Sequence, residues 1–332
     1  MVVVAYDSGP ALPRLLHSLE SENGGDLEAL VVDNGAGGPE IAEASKLPWV
    51  RLVKPNGNLG FAGGSNLGAR EARGEVLVFL NPDTVVESGA IEALVRALED
   101  DSIGIAMARL RLLDRPELLN SGGNVVHVSG LAWAGGFGEP AEQLSTLREV
   151  AYPTGAAMAI RAGLFEELGG FCEQLFMYQE DLELGWRVRL RGLRVVVEPK
   201  ADVYHEYDFS RHGAKHYLLE RNRLIFVLTA YSPRLLALLS PVLLGAELGV
   251  ATLALRQRWL GEKAAGWKWL LANRRWLSQR RRETQGLRRV PDRELARYLT
   301  PVLDPHMIDL PRSVRFVNPL VAGYWRAVRK LL

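Results

Sequence analysis

The chain has 332 residues, 48% hydrophobic and 24% charged, which excludes low-complexity disorder and supports one large domain with an appendage, or two domains. Its single cysteine, Cys172, excludes an internal disulfide and suits a reducing compartment. The formal net charge of +1 hides an asymmetry: from Arg256 to Arg289 eleven basic residues stand against Glu262 and Glu283, about +9 locally, so the remainder is net acidic.

Met1 leads directly into Val2-Val3-Val4-Ala5, an apolar run without a basic leader. A first strand is predicted there, and the chain is expected to stay on the cytoplasmic side. Further strands are predicted at Ala29–Asp33, Val50–Val53 and Val76–Leu80. They alternate with helical stretches in an α/β pattern that continues to about residue 210. Leu12, Leu15, Leu16 and Leu19, at i, i+3, i+4 and i+7, mark the clearest apolar helix stripe. Beyond about residue 213 the strand signals give way to long helical segments rich in Leu, Ala, Trp and Arg. The expected division is therefore 1–212 and 213–332, without internal repeats.

The unusual residues lie where parallel strands should end, the edge at which such sheets bind ligands. Glu75-Val-Leu-Val-Phe-Leu80 reads as a buried strand and runs straight into Asn81-Pro82-Asp83. The second strand ends in Asp33-Asn34. Between them, Asn56 to Gly68 holds five glycines, and from Gly63 onward a helix is expected whose first amides face an anion such as a phosphate. Ordinary turns are the competing reading. Downstream, Glu180, Asp181 and Glu183 place three acids in four residues at a predicted helix start. There the macrodipole favours negative charge, and a plain cap with a solvated face explains the cluster equally well. His205 closes another strand-like run and by itself carries little information.

Taken in order, Tyr6-Asp-Ser8, Val31-Val-Asp-Asn34, Asn58-Leu-Gly-Phe61, Phe79-Leu-Asn-Pro-Asp-Thr84, Gly169-Gly-Phe171, Phe176-Met-Tyr-Gln-Glu-Asp181 and His205 resemble the motifs of glycosyltransferase family 2. The NLGF and LNPDT forms are most similar to its rhamnosyltransferase branch. The resemblance covers about residues 2 to 210. It implies a GT-A fold, a Rossmann-like, mostly parallel sheet flanked by helices, followed here by a helical, membrane-associating extension.

It also implies roles. Asp83 matches the metal-binding aspartate, with His205 completing a Mg²⁺ or Mn²⁺ site that neutralises the departing diphosphate. Asn81 stands where many relatives have another aspartate, near the donor's ribose, and Asp33 matches the reader of a pyrimidine base. Tyr6, Asn58, Gly60 and Asn66 are assigned with them to the nucleotide sugar. Asp181 matches the catalytic base, with Glu180 and Tyr178 on the acceptor side. Cys172 departs from the pattern, which has an Asp there, and Gly35 to Gly38 lack the polar residues common after the base-reading strand. The implied activity is inverting transfer of one sugar, with L-rhamnose from dTDP-L-rhamnose as first choice, to a lipid-linked or polysaccharide acceptor in bacterial cell-surface glycan synthesis. A UDP-sugar donor, or a non-catalytic relative that binds sugar nucleotide or glycan, are the alternatives. No QxxRW signature follows Asp181, which argues against processive polymerisation.

In the C-terminal part, Leu235 to Leu255 carries a single charge, Glu247, and is long enough to cross a bilayer. Pro241, Gly245, Gly249 and Glu247 in its middle favour a buried or interfacial helical hairpin over a span. Trp259, Trp267, Trp269 and Trp276 interleave with the basic residues, a composition expected at an anionic membrane surface on the inner face of the cell membrane. A solvated basic tail is the plain alternative. Nucleic acid is not expected as a partner, since no reading module accompanies the charge.

Overall fold

The computed structural model describes residues 1–22, 27–35, 37–206, 215–304 and 314–332, with backbone alone for 314 and 315. Its strands are β1 Val2–Ala5, β2 Ala29–Asp33, β3 Val50–Val53, β4 Val76–Leu80, β5 Thr84–Val86, β6 Ile103–Leu112, β7 Leu119–Ser121, β8 Asn124–His127, β9 Ala132–Ala134, β10 Arg148–Glu149, β11 Ala157–Arg161, β12 Arg194–His205 and β13 Leu299–Thr300. Its α-helices are α1 Ala11–Leu19, α2 Pro39–Ala44, α3 Gly60–Glu71, α4 Ala90–Ala97, α5 Ala162–Glu167, α6 Glu180–Leu190, α7 Lys215–Ala230, α8 Pro233–Arg256, α9 Leu260–Ala272, α10 Arg274–Gly286, α11 Asp292–Leu295 and α12 Val314–Leu331. The chain forms two compact units, one built on the large sheet and the other on α7 to α12. The expected boundary at 212/213 lies outside the described residues.

The first unit is a ten-stranded sheet ordered β10-β12-β6-β11-β4-β1-β2-β3, with β5 paired to β12 and β7 to β6. The four strands expected from the sequence form over the same residues. β1, β4 and β2 as far as Val32 are continuous apolar runs because a parallel sheet covered on both faces buries its side chains, whereas β3 at the sheet edge carries Arg51 and is only partly buried. β3, β2, β1 and β4 run parallel, while β11 inserts antiparallel between β4 and β6 and β12 is parallel to β6. The carboxyl ends of β1, β2, β4, β6 and β12 therefore share one edge with the start of β11. The register puts Ala5 beside Asp33, and Leu80 beside Ala157. Leu12, Leu15, Leu16 and Leu19 of α1 are buried in the core with Val3, Val31 and Leu80, as their spacing predicts.

The second unit joins α7 to α12 with a three-stranded sheet, order β13-β8-β9. Its centre holds four charges. Arg223 donates to Glu220 at 2.8 Å and to Glu247 at 2.5 Å, and Lys263 Nζ lies 2.7 Å from Glu220 and 2.8 Å from Glu247. Trp267 Nε1 donates to Glu247 at 2.6 Å. Burial alone would raise the pKa of Glu220, but Arg223 and Lys263 hold it below the ordinary value. The Leu235–Leu255 stretch is one unbroken helix through Pro241. Its single charge turns inward to α7 and α9, so Glu247 does not oppose contact between α8 and lipid. Most of α8 is not buried in protein, which corrects the buried alternative.

The Trp residues also make contacts within this unit. Trp259 is buried and stacks on His216 at 4.6 Å, Trp269 meets Trp276 edge-on at 5.5 Å, and Arg221 lies over Trp269. Packing covers Trp259, while Trp267, Trp269 and Trp276 stay partly exposed.

The charge cluster predicts a mutational cost. Lys263→Met removes a fully buried cation from between two carboxylates that then share Arg223 alone. The fold should lose roughly 3 kcal/mol or more, measured as a lower midpoint in thermal or denaturant unfolding. An unchanged midpoint would mean that water screens the cluster.

Candidate active site

Two backbone pairings assemble the edge. β5 pairs antiparallel with β12 and sets Thr84 opposite His205, which carries Asp83, one residue earlier, to the histidine. Asp83 Oδ1 lies 3.3 Å from His205 Nε2, and the Glu206 amide donates to the Asp83 carbonyl at 2.9 Å. On its other side, His205 Nδ1 bonds to Asn120 Oδ1 at 3.0 Å. In that pairing Nδ1 donates to the amide oxygen, which fixes the ring with Nε2 facing Asp83.

One carboxylate oxygen and one oriented imidazole nitrogen suit a divalent cation that takes its remaining oxygens from a diphosphate. Among the described residues no group of three or more His, Cys, Asp or Glu side chains would hold a metal by protein alone.

At the end of β2, Asp33 is buried. Its Oδ1 accepts the Gly37 amide at 3.2 Å, while its Oδ2 has no hydrogen bond among the described residues and lies 3.8 Å from Lys54 Nζ. A buried acceptor left in this state asks for an outside donor. Tyr6, just past β1, is 57% exposed. Asn81 links β4 to the neighbouring strand, its amide donating to the Ala156 carbonyl at 2.9 Å and its carbonyl accepting the Thr84 hydroxyl at 2.7 Å.

The glycine-rich segment works differently from expectation. α3 begins at Gly60 rather than Gly63, and its first amides are taken. Asn34 Oδ1 accepts from Leu59 at 2.9 Å, Asn58 Oδ1 from Gly60 at 2.8 Å, and the Phe176 carbonyl from Ala62 at 3.0 Å. These donors fasten the loop and are not presented to an anion. Gly60 has φ +69°, and a Cβ there would run into the Phe176 carbonyl, so glycine is needed for both reasons. Asn66 is buried with its amide fully used: it donates to the Phe171 carbonyl at 2.9 Å and to Glu173 at 3.0 Å, and accepts the Phe171 amide at 2.8 Å. It pins the Gly169-Gly-Phe171 turn to α3.

Three of the four motif phenylalanines meet in one cluster. Phe171 lies 5.7 Å from Phe61 and 5.0 Å from Phe79, ring centre to ring centre.

Helix α6 carries the acids, and the plain reading of a solvated cap fails. Glu180 and Glu183 are both buried. Glu183 holds Arg187 at 2.6 Å, and Arg187 also donates to the carbonyls of Leu168 and Gly170, locking the helix to the preceding turn. Burial, with the Asp181 charge second, pushes the Glu180 pKa well above the carboxylate range. Burial also pushes Asp181 up to about 6, against the opposing pull of the Gly155 and Leu182 amides, which donate to it at 3.2 and 2.7 Å. Tyr178 is raised to about 12, by burial and then by Glu180.

Phe176, Tyr178 and Gln179 all have φ near +66 to +69°. Such strain in bulky residues persists only where the surroundings enforce it.

Sequence reasoning missed Gly155 and Asn120. Gly155 acts through its amide, and Asn120 reaches His205 from 85 residues away; only the Gly in Thr154-Gly155-Ala156 hinted at either.

A family model described as Glycosyl transferase family 2 matches residues 1–169. The N-acetylglucosaminyl-diphospho-decaprenol L-rhamnosyltransferase of Mycobacterium tuberculosis (strain ATCC 25618 / H37Rv) is 30% identical over 249 residues, covering 65% of this chain and 79% of that protein. Among solved structures, GalNAc-T7 with UDP, GalNAc and Mn²⁺ matches with TM-score 0.58 and 20% identity over 69% of this chain, which spans 47% of that one. S. aureus TarS 1-349 in complex with UDP-GlcNAc matches with TM-score 0.56 and 15% identity, covering 99% of this chain and 89% of that one. At such identities the two structures speak for the fold alone, a GT-A-like sheet flanked by helices. With the family model spanning half the chain and the rhamnosyltransferase aligned over most of its own length, the chain belongs to glycosyltransferase family 2, in its rhamnosyltransferase-like branch.

Proposed function

We propose that the chain catalyses inverting, metal-dependent transfer of a single L-rhamnose from dTDP-L-rhamnose to a lipid-linked or polysaccharide acceptor of the cell surface, at the inner face of the membrane. The observation that carries this reading is one sheet edge with two separate acid stations. Asp83 with His205 stands on one side, and Asp181 is tied through Gly155 to the start of β11, next to Asn81. The name of the mycobacterial relative supplies the sugar and a polyprenyl-diphosphate acceptor.

In this reading, Asp83 and His205 would hold Mg²⁺ or Mn²⁺, whose positive charge stabilises the departing nucleoside diphosphate. Asn120 keeps His205 oriented for that task. Asp33 offers its unused Oδ2 to the N–H of the pyrimidine, with Tyr6 beside it, while Asn81 lies toward the ribose. Asn58, Gly60 and Asn66 position the loops. Asp181 accepts the proton of the acceptor hydroxyl as that oxygen attacks the anomeric carbon from the face opposite the diphosphate. Glu180, buried beside it with its pKa raised by that burial, frames the acceptor side with Tyr178. A lipid-linked acceptor also gives α8 and the basic segment a purpose, keeping the enzyme on an anionic surface.

Asp181→Asn keeps the shape but cannot accept a proton, so kcat should fall by about 10² or more with donor affinity nearly unchanged. Collapse of donor binding in this variant would place Asp181 in the donor site. In the wild type, Asp181 works only when ionised, so activity should fall as pH drops through about 6. The stability sign is opposite. A carboxyl raised in the fold holds its proton more tightly there than in the unfolded chain, so its contribution is full below about pH 4 and is lost as pH rises through about 6. A rate profile flat from pH 5 to 8 would contradict the assignment.

A further inference from the structure

Helix α12 lies outside the segments that the sequence marked for the membrane. Phe316, Leu320, Tyr324 and Leu331 recur at helical spacing and fall within an arc of roughly 100°. Phe316 is 79% and Leu320 73% exposed, whereas Trp325 and Val328, further round the helix, are buried. The apolar arc is thus wider than the protein covers. Tyr324 hydroxyl donates to the Leu238 carbonyl of α8 at 2.6 Å, so α12 packs beside the helix whose Leu244 and Leu248 are 65% and 71% exposed.

The charges indicate what covers this surface. From Val314 to Leu332 there is no acid, and Arg326, Arg329 and Lys330 line a depression at the C-terminal end of α12. Leu235 to Leu255 contributes no outward charge, since Glu247 is held by Arg223 and Lys263. A second copy of the chain would bring the same cations to the stripe with no acid to receive them. An anionic bilayer offers acyl chains for Phe316 and Leu320 and phosphates for Arg326 and Lys330, whose stems lie along the interface.

We infer that α12 is an interfacial helix that docks this unit on anionic lipid, its Phe316, Leu320, Tyr324 and Leu331 stripe entering the headgroup boundary. The inference deepens the membrane-surface reading above and rests on it, but it concerns lipid binding, which is measurable without donor or acceptor.

The test is flotation of the full chain with vesicles of phosphatidylcholine, with and without phosphatidylglycerol. Wild type, Phe316→Asp/Leu320→Asp and Leu244→Asp/Leu248→Asp are compared at matched thermal midpoints. Wild type should bind the anionic vesicles, more weakly as salt rises, and the α12 variant should lose affinity on the order of tenfold or more. Unimpaired binding by the α12 variant, with loss confined to the α8 variant, would overturn the role of α12 and leave the membrane reading standing. No binding of wild type to either vesicle would overturn both, as would a dimer seen in sedimentation that the α12 substitutions dissociate without any vesicle binding. Activity on a short soluble acceptor reports separately on the transferase reading.

Discussion

The site depends on β11 entering the sheet antiparallel beside β4. That pairing sets Leu80 opposite Ala157 and lets the Asn81 amide reach the Ala156 carbonyl at 2.9 Å. The next amide back, that of Gly155, is then free to meet Asp181. A parallel strand in this place would deliver Gly155 to the opposite edge. Around this junction the remaining clamps follow a common logic: Asn66 and Arg187 bind the Gly169-Gly-Phe171 turn, and Gly60 admits the Phe176 carbonyl. Together they hold three bulky residues at positive φ just before the buried acids. The cost of keeping a carboxylate at Asp181 half-buried is offset in part by two amides, which leaves its pKa near that of a working base.

Much of this was legible from the residues. β1, β2 and β4 were found because burial on both faces leaves an apolar run, and α1 because a one-sided helix leaves a 3.6-residue stripe. Asp33 and Asp83 stood out as polar groups ending apolar runs, whereas His205 gained a role only through the family resemblance. The roles of Asn58 and Asn66 were not legible, since an asparagine that binds a ligand and one that binds a neighbouring backbone look alike until the loops are folded. Glu183 was hidden for a related reason. Its burial depends on Arg187 reaching back to the carbonyls of Leu168 and Gly170, and three clustered acids read more simply as a solvated helix start.

The C-terminal unit shows the same limit on a larger scale. Its tryptophans and arginines suggest a membrane face by composition; Trp259 is nevertheless buried, Trp267, Trp269 and Trp276 are partly exposed, and Glu247 is held by two cations. The most exposed large apolar side chains lie on α8, α9 and α12: Leu244 and Leu248, Leu271, and Phe316 and Leu320. Composition counts residues, whereas exposure depends on which side of each helix its neighbours occupy.

The central claim is that Asp83 and His205 form a cation-assisted site for a nucleotide-diphosphate sugar. Thermal shift of the wild type and Asp83→Ala with a panel of nucleotide sugars, with and without Mn²⁺, tests it most directly. The account predicts that dTDP-L-rhamnose stabilises the wild type most, by about 2.7 kcal/mol at a hundredfold excess over Kd, that the shift requires the cation, and that Asp83→Ala abolishes the cation-dependent part while folding normally. Equal stabilisation in the presence of a chelator, or an Asp83→Ala protein that responds like the wild type, would contradict it.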